Sequence, residues 1–255
     1  MDIDGFLRDG YVVLRGAFSP AVAAACRDVL WDRLASFGVA RDDRRTWTQP
    51  TIQLDCPDGE PFEEAATSPA LREAYDRLIG AGRWTARKDV GGLVPVRFPS
   101  EEYPDGVGYH IEGSWWTGEA YFANVRSRGR GLLTLFLFSD VGPDDAPTRL
   151  VLGSHLYVPQ VLAPAGESGM DGGDVPDLLR PSVLCRQTAS AVGDAGDVYL
   201  CHPFVVHTAT WPHRGTQPRM MAQPGVEVPD GFVLDGSDES PVAQAIVQGL
   251  STGLS

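Results

Sequence analysis

GLLTLFLFSDV, residues 131 to 141, decides the fold. Its centre, LLTLFLF, is apolar at odd and even positions alike, so both faces of an extended segment must be covered, which makes it a central strand. Around it lie shorter β-rich runs separated by Gly, Pro and Asp: LVPVRFP (93–99), TRLVLGSH (148–155), DVYLCHPFVVHTA (197–209) and RMMAQPGV (219–226). Short strands at this spacing predict a sandwich or barrel in place of βαβ units. Three Ser-Pro pairs read as helix caps followed by proline at the first helical position. Ser19-Pro20 opens AVAAACRDVLWDRLASF before Gly38, Ser68-Pro69 opens ALREAYDRLI before Gly80, and Ser240-Pro241 opens VAQAIVQGL. The expected class is mainly β with flanking helices. A single domain over 1–255 is expected, with a helical part over about 1–90, a β core over about 91–226 and a helical tail over about 227–255.

The chain has 255 residues, 43% of them hydrophobic, enough for one sizeable core. A net charge of −13 opposes binding to nucleic acid or to an anionic membrane. Arg126, Arg128 and Arg130 form the one basic cluster and read as a solvated loop. The start, MDIDGFLRDG, fits no targeting peptide, and no apolar stretch approaches the ~20 residues of a membrane helix. Cys26, Cys56, Cys185 and Cys201 show no zinc-type spacing and read as reduced thiols. A cytoplasmic protein with a small-molecule substrate is expected. Residues 159–182, rich in Pro, Gly and Asp, read equally as a lid over a site or as a surface excursion.

The chemistry concentrates in GYHIEGSWW, residues 108–116. In a strand, residues i and i+2 share a face, so His110 and Glu112 reach toward one point. A second histidine would complete a facial triad of two imidazoles and one carboxylate, the donor set of non-haem ferrous sites. The chain has five histidines. His207, ending the apolar run VYLCHPFVVH, is the preferred partner. His202 is the reserve: five positions earlier, it faces the other way in a regular strand, although Pro203 perturbs that regularity. Arg219, twelve residues beyond His207, suits the distal carboxylate of a dicarboxylate, which an arginine fork grips through two charge-assisted bonds.

FLRDGYVVLRGAFSP, the H-x-acid at 110–112, LVLGSH, and GDVYLCHPFVVH followed by PRMMAQP resemble, in order, the phytanoyl-CoA dioxygenase family. The resemblance covers roughly residues 4 to 226. It implies a double-stranded β-helix (a cupin-like jelly roll) that uses Fe(II), 2-oxoglutarate and O2. By position, it places the iron ligands on His110, Glu112 and His207 and the 2-oxoglutarate arginine on Arg219. Thr134, the lone polar residue of LLTLFLF, matches a strand flanking the cosubstrate, although a core threonine bonded to backbone fits it as well. Glutamate stands at 112 where the family usually has aspartate. Its retained charge opposes the halogenase variant of this fold, in which a small residue leaves room for chloride.

The implied activity is oxidation, by default hydroxylation, of an unactivated C–H bond. Trp115 and Trp116 are candidates for a pocket mouth. Arg97, alternating away from Val94, Val96 and Phe98, is a candidate for holding an anionic group inside the barrel. With no GxGxxG and no basic patch for a CoA thioester, a secondary-metabolite intermediate is the expected substrate. A non-oxidative cupin-like metalloenzyme (an isomerase or hydrolase) and a ligand-binding jelly roll without turnover are the rivals.

Overall fold

The computed structural model describes residues 1–104, 108–112, 114–175, 177–178 and 186–252. The LLTLFLF stretch forms a strand, β6 (Leu132–Leu137), buried at every position. It is flanked by β10 (Val198–Cys201) on one side and by β12 (Met221–Ala222) and β13 (Gly225–Val226) on the other, while β1 (Tyr11–Leu14) closes the far edge beyond β10. All pairings are antiparallel. The double-sided apolar pattern is explained by what each face meets. Leu132, Phe136, Val198 and Leu200 belong to one buried cluster, and Leu133, Leu135, Leu137, Tyr199 and Cys201 belong to another.

The first cluster lies under helices. Helix α2 (Pro20–Ala35) contributes Cys26, Leu30 and Leu34, and α4 (Pro69–Ile79) contributes Leu71, Tyr75 and Leu78. Helix α6 (Pro241–Ser251) adds Val242 and Ile246. The Ser19 and Ser240 hydroxyls accept from the N–H groups of Val22 and Ala243, which satisfies donors left free by the first helical turn. Ser68 departs from the expected cap: its hydroxyl donates instead to the Ala17 carbonyl. The second cluster is closed by Leu150, Ala191 and Val205. Leu150 lies on β7 (Arg149–Val151), the middle strand of the sheet β11-β7-β9, with β11 at His207–Thr208 and β9 at Thr188–Ser190. The molecule is therefore mainly sheet, with helices on the outer face of the larger sheet.

The run 197–209, read as one strand, is two. The chain turns at His202–Val205, where the Val205 N–H donates to the His202 carbonyl at 2.9 Å, and passes from β10 in the larger sheet to β11 in the smaller one. Pro203, which has no N–H for a ladder, sits inside the turn. The first 90 residues supply β1 and β2 (Thr51–Asp55) as well as helices, and β2 pairs along the whole of β3 (Leu93–Arg97). Residues 159–182 carry a short helix, α5 (Val158–Leu162), a 3-10 segment (Ala163–Ser168) and β8 (Met170–Asp171), with 176 and 179–182 outside the described residues. Cys26, Cys56 and Cys201 are free and buried, and Cys185 is outside the described residues. No described helix is long and apolar enough to cross a membrane.

Phe138 is fully buried between Phe18 and Phe62, with ring centroids at 6.0 and 5.5 Å. Phe138→Ala is expected to cost about 3–5 kcal/mol, measured as a fall in the urea midpoint at unchanged slope. A loss under about 1 kcal/mol would mean that the helix-to-sheet interface is loosely packed.

Candidate metal centre

His110 and His207 come together through backbone. Each N–H donates to the other's carbonyl at 3.0 Å, an antiparallel bridge that sets the imidazoles side by side with centroids 4.2 Å apart. The Glu112 N–H donates to the Pro203 carbonyl at 3.1 Å, and its Oε1 lies 3.8 Å from His110 Nε2. One ligand atom from each of His110, Glu112 and His207 lies within 4.8 Å of the others.

The tautomers follow from hydrogen bonding. His110 Nδ1 is 2.8 Å from the Gly108 carbonyl, and His207 Nδ1 is 3.0 Å from the Val205 carbonyl. A carbonyl only accepts, so each Nδ1 carries a proton, which leaves Nε2 as the ring atom that can face a metal. Burial, helped by the neighbouring His110, lowers the His207 pKa to about 3 and holds the ring neutral. Two imidazole Nε2 atoms and a carboxylate are a donor set for a divalent transition metal, with the rest of the coordination sphere open.

A cavity of about 630 Å³ opens on these groups, lined by His110, Glu112, Leu93, Tyr121, Arg130 and Gln223. Gly172 and Gly173, from the Pro/Gly-rich segment, also line it. Arg130 Nη2 lies 3.6 Å from Glu112 Oε2. The solvated-loop expectation for the arginine cluster is corrected at Arg130, while Arg128 stays exposed on its turn. Arg126 donates to the Phe232 and Asp230 carbonyls, and the Arg128 guanidinium lies over the Trp115 ring. These arginines have fixed partners because the chain folds back over the segment, which local composition does not record.

Arg97 and Arg219 lie further along the same strands. They face each other across a bridge, with backbone bonds of 3.0 and 2.8 Å, and Gln223 donates to Leu93 at 3.0 Å, so residues 219–223 run beside β3. Alternation puts Gln223, Met221 and Arg219 on one face, and Met221 belongs to the inter-sheet cluster. Arg219 thus lies about 13 Å of strand beyond Gln223, at ~3.3 Å per residue, and does not itself line the described cavity. Both arginines are buried, and both have an Nε without a partner. Arg219 donates to the Ala146 carbonyl and Arg97 to that of Thr210. Burial first, then the neighbouring Arg97, lowers the Arg219 pKa to about 9, and Asp145 opposes the shift. His213 is buried here with an unpartnered Nε2, and its Nδ1 lies 3.9 Å from Asp145 Oδ1. Two guanidiniums held at this depth with one carboxylate nearby lack negative charge.

The remaining candidates lie apart from the triad. Thr134 sits on the helix side of β6, donating to the Pro224 carbonyl at 2.8 Å beside Tyr75 and Trp84. Trp115 packs on Phe122, and Trp116 is exposed against Tyr121, with centroids 4.9 Å apart. Among the described residues, neither indole lines the cavity, whereas Tyr121 does. His202 has both nitrogens committed: Nδ1 accepts from the Phe204 N–H at 3.1 Å, and Nε2 lies 3.2 Å from the Val242 carbonyl. His155, 5.0 Å away between ring centroids, holds the Leu7 carbonyl. Gln223 and Tyr121 were missed by sequence reading, and nothing in the local pattern singles them out.

No family model matches this chain, and no curated protein matches it. Solved structures do. The non-haem α-ketoglutarate-dependent carbocyclase SnoK from nogalamycin biosynthesis is 18% identical, over 92% of this chain and 87% of that one, with a TM-score of 0.56. The epimerase SnoN, in complex with Fe3+, α-ketoglutarate and nogalamycin RO, is 18% identical over 94% and 91%, with a TM-score of 0.56. HygX from Streptomyces hygroscopicus, with nickel, 2-oxoglutarate and hygromycin B bound, is 16% identical over 87% and 84%, with a TM-score of 0.52. At these identities the likeness shows the fold: the chain is similar in fold to non-haem 2-oxoglutarate-dependent enzymes.

Two outcomes are expected. His207→Ala abolishes Fe(II) binding in equilibrium titrations, whereas His202→Ala binds Fe(II) normally but melts at lower temperature; the reverse pattern would reject the triad. The second concerns pH. Burial lowers His155 to about 4, His202 well below its ordinary value and His207 to about 3. Unfolded histidines take up protons near pH 6.5 while these do not, so their stabilisation is complete above that pH and is lost as pH falls toward the folded values. Between pH 6.5 and 5.5 the unfolding free energy is expected to fall by about 1 kcal/mol per histidine. Urea titrations across this range check it, and a level profile down to pH 5.5 would contradict the neutral, buried assignments.

Proposed function

We propose that the protein is an iron(II)- and 2-oxoglutarate-dependent oxygenase acting on a C–H bond of a small molecule. The observation that carries this is the His110–Glu112–His207 group, in which both imidazole Nε2 atoms are left free by carbonyl-bound Nδ1–H groups. On this proposal the two sheets are the halves of a double-stranded β-helix, and the triad sits at the seam between them.

The residues present fit the groups. Three protein donors would hold a ferrous ion and leave positions for the 2-oxo acid and O2. The unpartnered Nε atoms of Arg97 and Arg219 are suited to the distal carboxylate of 2-oxoglutarate, whose charge offsets the buried guanidiniums. Bound there, iron with 2-oxoglutarate and O2 supplies the oxidation that removes hydrogen from the substrate. This chain's residues bind and orient. The cavity seats the substrate beside His110 and Glu112, and the apolar inter-sheet cluster limits water. Tyr121 in its lining, packed against Trp116, offers aromatic surface. Hydroxylation is the simplest outcome of hydrogen removal, and ring closure or epimerisation starts from the same event. The similar structures include a carbocyclase from nogalamycin biosynthesis and an epimerase in complex with nogalamycin RO, which supports a small-molecule substrate of that kind.

The test is an anaerobic titration of the apoprotein with Fe(II) and 2-oxoglutarate, following the weak visible charge-transfer band of the chelate. A band in the parent is expected. Arg219→Ala is expected to need at least thirty-fold more 2-oxoglutarate, the effect of about 2 kcal/mol for a buried charge that loses its partner. Bound metal without a band would instead favour a non-oxidative metalloenzyme.

A further inference from the structure

The sequence puts glutamate where an aspartate would reach a metal with one methylene fewer, and the structure gives that longer arm a second contact. Glu112 Oε1 faces His110 Nε2 at 3.8 Å while Oε2 faces Arg130 Nη2 at 3.6 Å. One carboxylate oxygen thus points into the triad and the other toward a guanidinium on its far side.

Arg130 is delivered there by a built turn. Ser127 adopts φ 48°, in the left-handed region that a serine rarely occupies, and is fully buried. Its hydroxyl donates to the Arg130 carbonyl at 2.7 Å, and the Arg130 N–H donates back to the Ser127 carbonyl at 3.1 Å. On either side of Arg130, the N–H groups of Gly129 and Gly131 donate to the carbonyls of Val228 and Val226 at 3.0 and 2.7 Å. The side chain then crosses Gly225. A Cβ at that position would lie 2.0 Å from Arg130 Nη1 and 2.4 Å from its Cδ, so a side chain there would push the arginine off this path. A strained turn, a bracketed backbone and a glycine passage all serve one guanidinium, whose side chain is only 20% exposed.

We propose that Arg130 is the positioning residue of the glutamate ligand: it holds Oε2 so that Glu112 offers one oxygen to the metal. This rests on the metal centre proposed above. The glutamate and the arginine form one device. The extra methylene lets the carboxylate span from the triad to Arg130, and the guanidinium removes the freedom that methylene would otherwise add. Groups that orient a metal ligand from behind typically affect metal affinity by about 10- to 100-fold.

The test titrates the full-length apoprotein with Co(II) alone, by visible absorption and calorimetry, with circular dichroism and thermal melting as folding controls. Arg130→Gln is expected to weaken Co(II) binding by about 10- to 100-fold, and Arg130→Lys to recover part of that loss. Gly225→Ala, which blocks the path and keeps the charge, is expected to weaken binding in the same direction. In a Glu112→Asp background the shorter arm no longer meets the guanidinium, so Arg130→Gln is expected to cost little more. A parental affinity in Arg130→Gln, no recovery in Arg130→Lys, or the same fold-loss in both backgrounds would each overturn the proposal and leave the metal centre standing. A parent that binds no Co(II) overturns both.

Discussion

The reciprocal backbone bridge between His110 and His207 is the constraint on which the site depends. The two residues are 97 positions apart, and their imidazoles would have no reason to meet without it. Two N–H···O bonds fix both Cα positions, and one ligand atom from each ring then lies within 4.8 Å of the other. The same carbonyl-rich turns that form the bridge supply the acceptors for both Nδ1–H groups. Position and tautomer thus share one backbone origin, while the neutrality of His207 comes from burial, against the opposing pull of its bond to the Val205 carbonyl.

That bridge exists because the chain changes sheet between His202 and His207. β10 must stay in the larger sheet, where Tyr199 and Cys201 pack beneath β6, and β11 must reach the smaller sheet to pair with β7. The turn leaves His202 on the helix side, held by the Val242 carbonyl, and His207 opposite Leu150 on the inter-sheet side. Two histidines five residues apart acquire different tasks. One ties the sheet to α6, and the other is a ligand candidate.

Much of this was legible in the sequence, for physical reasons that can be named. LLTLFLF gave its double-sided burial directly, because hydrophobicity at every position has one economical solution. Ser19 and Ser240 capped as expected, since the capping bond is local. His110 and Glu112 were legible through spacing, although only His110 lies in a bridge and Glu112 is placed by Pro203. The parity argument that set His202 against His207 assumed one regular strand; the chain turns there instead, and hydrogen bonding separates the two. Thr134 was ambiguous because period two assigns a residue to a face without saying which face holds the site. The arginine cluster was misread because its partners at Phe232, Asp230 and Glu112 are remote in sequence or across a turn. Ser127's left-handed backbone carries no composition signal at all.

The inward face of the structure is graded, and the grading bears on chemistry. From Leu93 and Gln223 at the cavity, it passes Met221 and reaches Arg97 and Arg219, where positive charge is buried with Asp145 as its nearby carboxylate. Arg219 held at this depth is costly without a partner, and its burial already pulls its pKa to about 9. Structures keep such costs where a ligand relieves them, because a buried guanidinium then discriminates strongly for a carboxylate over a neutral group of similar shape. On the function proposed above, a two-ended acid suits this gradient: one end for the metal positions at the triad, the other for the arginines, and a short apolar stretch between. Helix-side burial offers no such sequence of environments, since the face carrying Phe136 and Leu200 is apolar apart from Thr134, whose hydroxyl is bonded to backbone. The central sheet is thus asymmetric, with plain core on one face and, on the other, buried charge beyond an apolar stretch from the cavity.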